Sequence, residues 1–77
     1  MRKWLKDLRN EKGLTMKELG EKLGISESYY CAIEKGDRQK NMDITLVAAL
    51  SAALGVSISI IAQYESDMRA ASGNISV

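Results

Sequence analysis

Glycines and helix-capping residues divide this chain into short helical lengths, and that punctuation limits what it can fold into. Gly13, Gly24, Gly36 and Gly55 each follow a stretch of helical apolar spacing, and Thr15, Ser26, Asp43 and Ser57 stand where new helices would begin. The first helix is predicted over residues 3–12, with Leu5 and Leu8 inward. The second opens at Thr15, whose hydroxyl and the Glu18 carboxylate form a capping box, and runs to Leu23 with Leu19 and Leu23 buried. Ser26 caps a third helix, residues 27–35, with Tyr30 and Ile33 inward. The polar stretch Asp37-Arg38-Gln39-Lys40-Asn41-Met42 is a loop. Asp43 then caps a fourth helix with Ile44, Val47, Leu50 and Leu54 as its apolar stripe. Ser57 caps a fifth, with Ile58, Ile61 and Ala62 on one side and Ile60 and Tyr64 on another. Trp4 either extends the first apolar face or lies against the C-terminal half. The expected class is all-α with five helices, residues 1–66 forming the domain and 67–77 a tail that is loose or associated with a dimer.

Seventy-seven residues make one small domain, burying only about 60% of the surface its unfolded chain exposes. Histidine is absent, which removes the usual general base, the common zinc sites and any Ser-His triad. The expectation is a protein that is no enzyme and takes no metal or cofactor. Cys31 is the lone cysteine, so no internal disulfide forms, which suits a reducing, cytoplasmic location. Lys6, Asp7 and Arg9 interrupt any secretory apolar run behind the basic start. The uncharged stretch 44–64 is long enough to span a bilayer. Thr45, Ser51, Ser57, Ser59 and Gln63 interrupt it, and Leu54-Gly55-Val56-Ser57 is a stop followed by a cap. It is expected to be two core helices, with no membrane contact. Charge is unevenly spread: residues 1–40 carry +3 and residues 41–77 carry −2, a bias that hints at a polyanionic partner for the first half.

Residues 16–35 carry the functional signal. Only Gly24, Ile25 and Ser26 separate two short helices. Gly20 falls where their axes approach, Gly24 can adopt the left-handed conformation of a sharp turn, and Ile25, Tyr30 and Ile33 anchor the second helix. The predicted unit is a helix-turn-helix that offers its second helix to the DNA major groove.

In order, Leu8-Arg9-Asn10-Glu11-Lys12-Gly13-Leu14-Thr15, Glu18-Leu19-Gly20-Glu21-Lys22-Leu23-Gly24-Ile25-Ser26, Tyr29-Tyr30-Cys31-Ala32-Ile33-Glu34-Lys35-Gly36 and Leu54-Gly55-Val56-Ser57 resemble the phage repressor and Cro type of regulator, the XRE family, over residues 3–62. The resemblance implies a five-helix lambda-repressor-like DNA-binding domain that represses transcription as a homodimer on an inverted-repeat operator in double-stranded DNA. It places Glu27, Ser28, Cys31 and Ala32 on the base-reading face, with Arg38 joining them from the loop. It places Lys17, Tyr29, Lys35 and Lys40 against phosphates, and it pairs Arg9 with Glu34. Met16 stands where the family carries a DNA-binding glutamine, and Tyr30 where it carries a β-branched residue. The loop after Gly36 is longer than the family's and lacks its proline.

Ile60, Tyr64 and Met68 form an apolar ridge that a chain this small cannot cover, and they are expected at a two-fold dimer interface. The same ridge could receive a different protein. In that alternative the chain is an antitoxin-like interaction module that regulates its own synthesis through the helix-turn-helix.

Overall fold

The computed structural model describes residues 1–39 and 41–71, the side chains of 69–71 excepted. Among the described residues the secondary structure is entirely α-helical: α1 (Lys3–Glu11), α2 (Met16–Leu23), α3 (Glu27–Lys35), α4 (Ile44–Leu54) and α5 (Ile58–Ala71). The five-helix, all-α helix-turn-helix architecture is therefore the fold of this chain.

Local chemistry sets the helix starts. Glu18 N donates to Thr15 Oγ1 at 3.0 Å while Thr15 N donates to Glu18 Oε1 at 2.8 Å, satisfying two N–H groups that α2 itself cannot. Ser26, Asp43 and Ser57 accept in the same way from Tyr29 N, Leu46 N and Ile60 N. Leu5, Leu8, Leu19, Tyr30, Ile33, Val47, Leu50, Leu54 and Ile61 form one core to which all five helices contribute.

Two apolar expectations fail at helix starts. Ile44 was expected in the α4 stripe, but it is 71% exposed. Ile58 was expected beside Ile61, and it too is exposed; Ala62, farther along α5, is exposed for another reason, since it stands about 100° around the helix from the buried Ile61. Helical side chains lean toward the N-terminus. A residue in the first turn therefore points past the end of its helix, beyond the neighbours that cover Val47 and Ile61.

No single helix among the described residues is long and apolar enough to cross a membrane, and α4 meets the 58–68 part of α5 at a bend of 119°. Helix α5 continues unbroken past Ser66 to Ala71. The remainder of the expected tail, residues 72–77, lies outside the described residues. Trp4 lies against the C-terminal half, stacked on Tyr64 with ring centroids 5.5 Å apart and 17° between planes.

Candidate nucleic-acid interface

The junction of α2 and α3 is built around close backbone approach. Gly24 has φ +75° and ends α2, after which Ile25 N returns to the Gly20 carbonyl at 2.9 Å. A Cβ on Gly20 would lie 3.2 Å from the Ile25 carbonyl oxygen and 3.4 Å from that of Ser26. Glycine thus lets α3 begin directly against the body of α2.

Helix α3 is anchored on one side and open on the other. Tyr30, Ile33 and Glu34 are buried, whereas Glu27 and Ser28 in its first turn are exposed. The Tyr30 hydroxyl donates to Glu34 Oε2 at 2.7 Å. Arg9 donates to the same carboxylate, from Nε at 2.9 Å and Nη2 at 3.3 Å, and its Nη1 reaches the Leu14 carbonyl at 2.9 Å. The two carboxylate oxygens thus gather α1 and α3 at one buried point. The hydrogen bond to Glu34 holds the Arg9 guanidinium above its ordinary pKa against the opposing effect of burial. Burial, and then the Glu34 hydrogen bond, push the Tyr30 hydroxyl far above the usual phenol range.

The sequence profile of the helix-turn-helix family matches residues 5–58, from the buried Leu5 to the first residue of α5. This chain belongs to the helix-turn-helix family. Two relatives named HTH-type transcriptional regulator SinR, from Bacillus subtilis (strain 168) and Bacillus licheniformis, are 41% identical over 54 residues, which is 70% of this chain and 48% of theirs. The uncharacterized HTH-type transcriptional regulator YqaF of Bacillus subtilis (strain 168) is 42% identical over 45 residues, 58% of this chain and 59% of its own. The chain therefore spans about half the length of the SinR relatives it matches.

Within this helix-turn-helix the residues singled out from sequence fall into distinct settings. Glu27, Ser28, Lys17, Lys35 and Arg38 are exposed, whereas Cys31, Ala32 and Tyr29 are half-buried. Lys40 lies outside the described residues. Arg38 is held near α3 because its backbone N–H and that of Asp37 both donate to the Ala32 carbonyl, at 3.2 and 2.9 Å. Ile60 and Tyr64 are 44% and 40% exposed on α5, and Met68 is half-buried. Among the described residues no group of three or more His, Cys, Asp or Glu side chains could hold a metal ion.

The basic first half is less available to a polyanion than its charge count implies. Arg9 and Arg2 are both buried in ion pairs, with Glu34 and Glu65. Sequence reasoning missed the second of these entirely. Arg2 donates from Nε and Nη2 to the Glu65 carboxylate at 2.8 to 3.1 Å, and Trp4 Nε1 adds a bond to Glu65 Oε1 at 3.2 Å. No local pattern marks either residue. Arg2 resembles any basic residue near a chain start, and Glu65 any acidic residue on an outer helix.

Proposed function

We propose that this chain is a sequence-specific double-stranded DNA-binding regulator of the phage repressor and Cro type. In this reading it represses transcription in the cytoplasm as a homodimer on an inverted-repeat operator, by binding rather than by catalysis. The observation that carries the reading is the solvent-open first turn of α3, Glu27 and Ser28, standing clear of a tightly joined α2–α3 unit. The names of the related regulators support it.

In the proposed complex α3 enters the major groove, and Ser28 and Glu27 meet base edges, Glu27 as an acceptor for cytosine N4. Cys31 and Ala32 present the next turn, and Arg38, from the loop, contacts a phosphate and reads a base beside it. Lys17, Tyr29, Lys35 and Lys40 set the register on phosphates, which carry charge but no sequence information. Ile60, Tyr64 and Met68 form the two-fold contact. It sets two copies of α3 about 34 Å apart on successive grooves.

The exposed ridge of Ile60 and Tyr64 favours a second reading, in which a protein partner covers α5 and the chain acts as an antitoxin-like module. Selection from random duplex DNA at two salt concentrations tests the first reading, and a co-purifying protein that occludes Ile60 and Tyr64 would favour the second. An enriched inverted repeat whose affinity falls steeply with salt supports the regulator. No enrichment at either salt concentration refutes it.

A further inference from the structure

Gln39 has φ +55°, and among the described residues it is the one non-glycine position in the left-handed region. Such a conformation is unfavourable for a residue with a side chain and persists only where its surroundings hold it. Three bonds do so. The Gln39 carbonyl accepts from Arg2 Nη2, its side-chain Oε1 accepts from Asp43 N at 3.2 Å, and its Nε2 donates to the Tyr29 hydroxyl at 3.1 Å. The Asp43 contact fixes which end of the amide faces Tyr29. The phenol oxygen therefore accepts, and its own proton stays free to be donated elsewhere.

The guanidinium that grips Gln39 is itself fully engaged. Arg2 is 1% exposed, and its Nη1 donates to the Ile33 carbonyl at 2.6 Å and to the Arg38 carbonyl at 3.2 Å. Its backbone N–H donates to the Glu34 carbonyl at 2.7 Å, and Glu65 neutralises its charge. One side chain thus ties the C-terminal end of α3 to the carbonyls of both Arg38 and Gln39. A buried ion pair is weak evidence for stability, because desolvation offsets much of its attraction. What this one supplies is a fixed loop.

Resting on the DNA-binding reading above, we propose that Arg2 and Gln39 are positioning residues of the DNA interface. Arg2, neutralised by Glu65, fixes the 38–39 backbone so that Arg38 projects in one direction. Gln39 orients the Tyr29 hydroxyl so that its proton is aimed outward at a phosphate oxygen. Ordering these groups before DNA arrives removes an entropic cost from binding.

The test uses the duplex that the wild-type chain selects, with thermal melts confirming that each variant is folded. Gln39→Ala should bind about three- to tenfold more weakly, and less than about twofold more weakly when introduced into a Tyr29→Phe background, since both changes remove one contact. The double variant Arg2→Met with Glu65→Leu removes both buried charges together. It should lose about tenfold in affinity and about one unit of salt slope, and Arg38→Ala should flatten that slope no further. Wild-type affinity for Gln39→Ala, or equal losses with and without the Tyr29 hydroxyl, overturns the proposal. So does a folded double variant with unchanged affinity and slope. If the double variant does not fold, the Gln39 and Tyr29 cycle decides alone. A wild-type chain that binds no duplex overturns the DNA-binding reading itself, whereas wild-type binding with indifferent variants overturns only the positioning roles.

Discussion

Arg2 and Glu65 stand 63 positions apart and meet at 2.8 Å, with both side chains withdrawn from water. Their contact joins the start of the chain to α5. Removing one partner would leave the other buried and charged. Arg2→Met should therefore cost about 3–5 kcal/mol, and adding Glu65→Leu should recover only part of that loss, because it removes the unpaired charge while the Ile33, Arg38 and Gln39 carbonyls still lack their donor. Urea unfolding of the single and double variants measures this. A single variant as stable as wild type is incompatible with a buried pair.

Tyr30 makes an alkaline prediction. Its hydroxyl is held protonated in the folded chain by burial and by Glu34, whereas in the unfolded chain it ionises at about pH 10. Above that pH the unfolded chain has released a proton that the folded chain still holds, so stability falls as pH rises. Below it both states are protonated and this contribution is constant. Melting temperatures taken from about pH 8 to about pH 11 should fall less in Tyr30→Phe than in wild type. At neutral pH the same variant should lose about 1.5–3 kcal/mol with its bond to the Glu34 carboxylate.

At Gly20 two opposing effects can be separated by size. Alanine improves helix propensity by about 1 kcal/mol but brings its Cβ to 3.2 Å from the Ile25 carbonyl, so Gly20→Ala should remain within about 1 kcal/mol of wild type. Gly20→Leu cannot be accommodated against backbone, and it should destabilise by about 1–3 kcal/mol or more and weaken DNA binding through displacement of α3. Chemical denaturation and binding titrations of the two variants provide the check.

Ser28 and Lys35 should fail differently. Ser28→Ala should relax sequence preference at one operator position with little change in salt dependence. Lys35→Ala should weaken all sequences together and flatten the salt slope by about one unit. Binding measured across single-base operator variants and a salt series distinguishes the two patterns; equal, salt-independent losses would falsify these roles.

The α5 ridge predicts association behaviour. Ile60→Asp places a charge at a 44% exposed position, so it should leave the fold intact while dissociating the proposed homodimer. Sedimentation at micromolar concentration reads the assembly state, and operator affinity should fall with it. A wild-type chain that is monomeric at that concentration argues for a different partner on the same ridge.

Features written in near neighbours were legible from the order of residues alone. The Thr15–Glu18 capping box, the Ser26 and Asp43 caps, the turn at Gly24 and the core spacing of Leu19, Tyr30, Ile33, Leu50 and Leu54 all depend on side chains within a few positions of one another. The stacking of Trp4 on Tyr64, the pairing of Arg2 with Glu65, the left-handed Gln39 and the exposure of Ile44 were decided only when the helices packed. A charged or apolar residue has the same local signature whether water or protein surrounds it. What surrounds it depends on distant segments, whose approach is set by the packing of the whole core.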